Sequence, residues 1–219
     1  MKLSDKTISV LKNFSTINQS VLVNPGNVIR TISGARNVFA SATVDESFPS
    51  KFSIYELSKF LGAISLFEDP DFEFFDDHLK ISQGKNVIRY TYADESMIVV
   101  PPAREPDLPS KDIYFELNQT DLGKVLKAVA ILQVPEVSVV GEDGTIYVKA
   151  INNKNPSSDQ FTIAVGVTDQ SFNAIFKAEF LKFMPADYKI NISSKGFAQF
   201  STDGLSYWIA SDVGSKYGV

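Results

Sequence analysis

His78 closes the densest acidic run of the chain, Glu68-Asp69-Pro70-Asp71-Phe72-Glu73-Phe74-Phe75-Asp76-Asp77-His78. Carboxylates beside an imidazole could bind a divalent metal, and paired carboxylates could hydrolyse a substrate. The spacing speaks against a metal site, and no carboxylate pair stands out for hydrolysis. A period of two puts Asp71, Glu73 and Phe75 on one strand face, and Asp76-Asp77 reads as a turn. Nothing matches the ligand spacing of an EF-hand loop. The run reads as a solvated strand edge, with no metal and no cofactor.

The chain has no cysteine and one histidine. That excludes disulfides, iron–sulfur clusters, thiolate zinc sites and cysteine nucleophiles, and confines any histidine-based triad to His78. No P-loop, G-x-G-x-x-G, G-x-S-x-G or H-E-x-x-H occurs. No catalytic residue is assigned and no enzyme is expected.

The chemistry that remains is electrostatic. The formal charge is −5, which argues against a simple basic nucleic-acid binder. Sorted by element, the balance changes. Four predicted helical segments hold eight lysines, Lys2, Lys6, Lys12, Lys59, Lys124, Lys127, Lys177 and Lys182, against Asp5, Glu56, Asp121 and Glu179. The rest of the chain holds 13 positive and 22 negative residues. Lysine is a good helix former and can simply solvate an exposed face. Yet a lysine face without base-reading companions also suits phosphate contact that ignores sequence. A flexible point charge can release one phosphate and take the next, unlike the fixed fork of arginine. The candidate DNA-facing residues are Lys2, Lys6, Lys12, Lys59, Lys124, Lys127 and Lys182. Lys177 is omitted because it starts its helix.

The elements that must position these lysines follow from periodicity. The first helix is capped by Ser4 and puts Leu3, Thr7, Val10, Leu11, Phe14 and Ile17 on one face. The second carries Leu57, Phe60, Leu61 and Ile64. The third carries Leu122, Val125, Leu126 and Val129, capped by Asn118 or Thr120. A short fourth is expected around Lys177 to Phe183, before Pro185. Between helices the period falls to two, as in Asn86–Tyr92 and Thr145–Ala150, with turns such as Glu142-Asp143-Gly144. The recurring order predicts an α+β protein with a helix packed on antiparallel strands, repeated four times. Four of the ten prolines crowd into residues 101–109. Proline fixes φ and cannot donate to a ladder, so this stretch reads as a connector. The expected domains are 1–98 and 111–219, joined by 99–110. No run approaches the roughly 18 apolar residues of a membrane span, and no secretory signal is visible at the start. A soluble intracellular protein is expected.

The two halves with lysine-bearing helices and a central connector resemble a DNA polymerase sliding clamp. The series Met1-Lys2-Leu3-Ser4, Leu11-Lys12-Asn13-Phe14, Thr16-Ile17-Asn18, Tyr55-Glu56-Leu57, Phe60-Leu61, Leu66 and Pro185-Ala186-Asp187-Tyr188-Lys189 resembles the clamps of T-even-type phages. The resemblance spans nearly the whole chain; the ordered series carries it, not any one motif. It implies two tandem clamp domains, each with two helices on antiparallel sheets, assembling as a homotrimeric ring around duplex DNA. It further implies tethering of the phage polymerase through its C-terminal peptide and loading by an ATP-dependent clamp loader. Late-transcription partners, a sigma-like factor and a coactivator, and the cytoplasm of an infected bacterium complete the expectation.

By the same resemblance, Val87, Ile88 and Tyr90 of one chain should meet Phe161, Ile163 and Val165 of the next. Partner peptides should enter a pocket made by Ile98, Val99, Val100, Pro101 and Pro102 with Trp208 and Ala210. Trp208 and Ala210 share a strand face, where a large aromatic beside a small residue makes a wall and a recess; a core role for Trp208 is the alternative. Two competing classes are a monomeric clamp-fold processivity factor and a β-rich phage structural protein, both separated from a ring by mass in solution.

Overall fold

A computed structural model describes residues 1–218; Val219, where the second expected domain ends, lies outside them. The chain divides into two compact units, Met1–Glu105 and one that begins at Pro106. The division falls inside the proline-rich stretch.

In the first unit, α1 (Asp5–Phe14) buries Thr7, Val10, Leu11 and Phe14, and α2 (Leu57–Ile64) buries Leu57, Phe60 and Ile64. Ser4 caps α1 by accepting from the Thr7 N–H. The strands are β1 (Val21–Val23), β2 (Gly26–Ile32), β3 (Val38–Phe48), β4 (Phe52–Ile54), β5 (Asp71–Phe74), β6 (His78–Gln83) and β7 (Asn86–Thr91). They pair antiparallel in the orders β4-β1-β2-β3 and β5-β6-β7. Phe48, Phe52 and Phe74 meet edge-on or tilted in this unit's core, which spreads aromatic contact over three strands.

In the second unit, α3 (Gln119–Leu132) is capped by Asn118, which accepts from the Asp121 N–H, and buries Leu122 and Val125. The strands are β8 (Ile113–Leu117), β9 (Glu136–Glu142), β10 (Thr145–Ile151), β11 (Phe161–Val167), β12 (Phe172–Lys177), β13 (Tyr188–Ser193), β14 (Phe197–Thr202), β15 (Leu205–Ala210) and β16 (Lys216–Tyr217). Their antiparallel orders are β15-β14-β13-β8 and β11-β10-β9-β12-β16.

The repeat is a leading strand, a helix and three antiparallel strands. The leading strand joins the sheet of the other repeat in its unit: β8 pairs with β13, β12 with β9, and β4 with β1. The first repeat has no leading strand of its own. In its place Met1 exchanges two backbone hydrogen bonds of 2.8 Å with Phe72 on β5.

The expected fourth helix is absent. Lys177 ends β12, and only the 3₁₀ turn Ala178–Phe180 follows. Seven residues separate β12 from Pro185, too few to offset helix nucleation. Leu181 and Phe183, two apart, are instead buried together, as extended backbone permits. The Phe183 ring lies 4.4 Å from that of Tyr207 and 4.8 Å from that of Phe200. Tyr188 Oη donates to the Met184 carbonyl at 2.5 Å, and Met184 N–H donates to Tyr207 Oη at 3.1 Å. Among its described residues the second unit therefore has one α-helix, not the two expected. No helix among the described residues is long and apolar enough to cross a membrane.

Candidate functional site

Five lysines lie on the helices, Lys6, Lys12, Lys59, Lys124 and Lys127, against Asp5 and Asp121. All five are exposed, away from the buried stripes of their helices. Lys2 precedes α1, and Lys182 follows the 3₁₀ turn, so neither is helical. Lys177 ends a strand and lies 5.8 Å from the Phe180 ring.

The helical lysines differ in their company. Lys6 pairs with Asp45 of β3 at 3.3 Å, and Lys124 with Asp121 at 3.0 Å. Lys2 pairs with Asp69, and that hydrogen bond holds its pKa above the usual lysine value. Among the described residues Lys12, Lys59 and Lys127 form no ion pair. The same positions look alike in sequence, because Asp45 and Asp69 lie 39 and 67 residues from the lysines they meet.

The acidic run does other work. Asp69 holds Lys2, Glu73 holds Lys80 at 2.7 Å, and Asp77 holds Arg89 at 2.6 Å. Asp77 also meets His78 Nδ1 at 2.5 Å, and that contact, with Arg89 nearby, keeps its carboxyl below the ordinary range. The His78 ring stacks on Phe75 at 4.6 Å. The carboxylates staple the β5-β6-β7 sheet, and no metal-holding cluster occurs among the described residues.

Two of the strands that end a sheet are β7 and β11, where the expected seam residues lie. β7 pairs only with β6, and β11 only with β10, among the described residues. Ile88 and Tyr90 stand opposite Ile81 and Leu79, both buried, and the Tyr90 ring meets Phe60 of α2 at 5.1 Å. Val87 is on the opposite face and 57% exposed. A cleft of about 660 Å³ runs between α2 and this edge, lined by Tyr55, Lys59, Ala63, Ile88, Tyr90 and Met97. On β11, Phe161 and Ile163 stand opposite the buried Ala150 and Val148, on the side of α3, and are themselves half-buried. The register shift facing Ile146 and Tyr147 leaves Val165 as a bulge. Each edge thus offers unpaired backbone next to half-covered apolar side chains.

Of the expected pocket residues, Ile98 to Pro102 follow a 3₁₀ turn in the first unit. Ile98 and Val99 are half-buried and Val100 is 42% exposed. Asn18 Nδ2 donates to the carbonyls of Ile32, at 2.9 Å, and Val99, at 3.5 Å. In the second unit, Trp208 and Ala210 share one face of β15, opposite Gln199 and Phe197 of β14. Tyr207 and Ile209, fully buried, form the other face and hold the core. Trp208 is therefore buried on the side of its sheet away from Tyr207, beside a half-exposed Phe197.

Residues 2–100 match the family described as DNA polymerase processivity factor, and residues 114–213 the one described as gp45 sliding clamp, C terminal. The chain is 32% identical to the sliding clamp of Vibrio phage KVP40 over 220 residues, covering 97% of this chain and 100% of that one. It is 28% identical to the sliding clamp of Enterobacteria phage T4, covering 99% of each. Among solved structures, PCNA from Thermococcus kodakaraensis superposes with a TM-score of 0.69 at 14% identity, covering 97% of this chain and 99% of that one, a likeness of fold. A relative above 30% identity along its full length, with processivity-factor and clamp matches in the two halves, means that the chain belongs to the sliding clamp family of polymerase processivity factors.

Proposed function

We propose that three copies close head to tail into a ring that encircles duplex DNA and tethers a replicative polymerase. The observation that carries this reading is that two of the edge strands, β7 in one unit and β11 in the other, each set unpaired backbone beside half-covered apolar side chains. Two different edges joined between copies make a heterologous contact, which closes when its rotation divides a full turn. Ile88 and Tyr90 would then meet Phe161, Ile163 and Val165 of the next copy and cover their apolar faces, with Val87 on the outer side of the same ladder.

Lys2, Lys6, Lys12, Lys59, Lys124, Lys127 and Lys182 face the DNA in this reading. A topological link needs no tight grip, so point charges that exchange phosphates suffice. Ile98, Val99, Val100, Pro101 and Pro102, together with Trp208 and Ala210, receive the polymerase C-terminal peptide. An ATP-dependent loader opens the ring, and late-transcription factors, sigma-like and coactivating, use the same ring in the cytoplasm of the infected bacterium. The clamp performs no chemistry of its own.

Light scattering across a dilution series tests the assembly. The wild-type chain should hold three times the monomer mass into the low micromolar range. Ile163→Glu or Tyr90→Glu places a charge in the seam and should give folded monomers at the same concentration. Variants that stay trimeric would place the interface elsewhere.

A further inference from the structure

At least three of the seven lysines proposed to face the DNA already hold a carboxylate. Lys2, Lys6 and Lys124 each hold a carboxylate, from Asp69, Asp45 and Asp121. These carboxylates come from three different places: the loop before β5, strand β3 and the first turn of α3. Lys12 on α1, Lys59 on α2 and Lys127 on α3 form no ion pair among the described residues. The three lysine side chains are 50–55% accessible, and Asp45 and Asp69 are exposed too, while Asp121 is partly covered. Such a pair is weak enough for a phosphate to displace, yet it competes with that phosphate each time.

We propose that Asp45, Asp69 and Asp121 act as built-in competitors of DNA phosphate, setting how firmly the ring holds duplex DNA. The inference rests on the reading that these lysines face DNA. A lysine already paired with a carboxylate neutralises less of a phosphate, so it releases fewer of the counterions condensed on the DNA and adds less than a full charge to the salt dependence of binding. The three unpartnered lysines supply the steady attraction. The three partnered ones engage only when a phosphate comes close enough to take the place of the aspartate. A ring built this way stays on DNA through its closure and moves along it with little resistance.

The test is anisotropy of a short end-labelled linear duplex titrated with the full-length protein across a salt series. The triple variant Asp45→Asn/Asp69→Asn/Asp121→Asn should bind about tenfold tighter at low salt. Its slope of log affinity against log salt should steepen by about 2 to 3. A control triple, Asp107→Asn/Asp159→Asn/Asp169→Asn, makes the same change in net charge at exposed aspartates that hold none of these lysines, and should leave the slope unchanged. Equal tightening by both triples would reduce the effect to net charge and overturn the proposal. An unchanged paired triple, alongside weaker binding by Lys12→Ala/Lys59→Ala/Lys127→Ala, would overturn the proposal and leave the lysine reading standing. No change in either the aspartate or the lysine variants would sink that reading and the proposal with it. Each single Asp→Asn variant is measured as well, and each should carry its share of the slope if the triple is unstable.

Discussion

The Glu46 carboxylate on β3 accepts a hydrogen bond from the hydroxyl of Thr7, a residue fully buried in α1. Its other oxygen accepts from the Ser4 N–H, and the Ser4 hydroxyl in turn accepts from the Thr7 N–H at 3.2 Å. One side chain from the sheet thus completes the N-terminal cap of the helix that carries Lys6 and Lys12.

This relationship fixes a pH dependence. Burial pushes the Glu46 pKa up, but the hydrogen bonds from Thr7 and Ser4 outweigh it and the carboxyl stays below its usual value. A carboxyl depressed in the folded state stabilises the fold above its unfolded pKa, and the benefit disappears as pH falls through the folded one. Glu46→Gln should cost about 1–2 kcal/mol near neutral pH. Urea unfolding of both proteins from pH 7 to pH 3 should show the difference shrinking below about pH 4.5. A gap that stays constant would mean the charge on Glu46 is immaterial.

The segment that takes the place of the fourth helix should behave as core. Phe183→Ala removes a ring packed on Phe200 and Tyr207 and should cost about 3–5 kcal/mol, read as a large drop in Tm. On a solvated helix the same change would cost well under about 1 kcal/mol.

Gly141 admits no side chain. A Cβ there would overlap the Phe172 ring and come within 2.5 Å of the Gln170 carbonyl oxygen. The ring can turn, but the backbone carbonyl cannot. Gly141→Ala should lower stability by about 2–4 kcal/mol, measured by chemical denaturation. A variant as stable as wild type would mean β9 and the approach to β12 can separate freely.

Reversing Lys12, Lys59, Lys124 and Lys127 to Glu should leave the melting temperature nearly unchanged, since all four are exposed. Polymerase run length on primed DNA should fall, and the deficit should be greatest at low salt, where phosphate contacts are least screened. Undiminished run lengths would make these lysines simple solvating groups.

Trp208 and Ala210 share the sheet face that does not hold the Tyr207 core. A synthetic peptide matching the polymerase C-terminus should change Trp208 fluorescence, and Ala210→Arg should abolish binding while leaving the trimer intact. Normal binding by Ala210→Arg would move the site to residues 98–102 alone.

Local rules carried much of this fold. Ser4 and Asn118 announce α1 and α3 as caps, and the 3.6-residue stripes pick out the residues that α1 and α2 bury. Eleven-residue β3 was hard to read, because Val38 to Ala42 are buried in unbroken succession, so no alternation shows, and its inward residues include small alanines. The false fourth helix arose where Phe180/Phe183 and Leu181/Met184 are three apart, a helical spacing, while Leu181 and Phe183 are two apart, an extended one, and only the core around Tyr207 decides between them. The exposed lysines were readable from helix faces. Their aspartate partners were not, since pairs 39 and 67 residues apart depend on tertiary approach.

The crossing of β8 to β13 and of β12 to β9 has a mechanical consequence. Pulling one repeat of the second unit from the other cannot unzip a single edge bond by bond. It must strip both ladders together, so the load is shared and the unit is stiff. The proposed seam of β7 against β11 of another copy has no such interlock. A force that strains the proposed ring would therefore part it at such seams and leave every unit whole, as a chain link gives at its clasp and not through its metal.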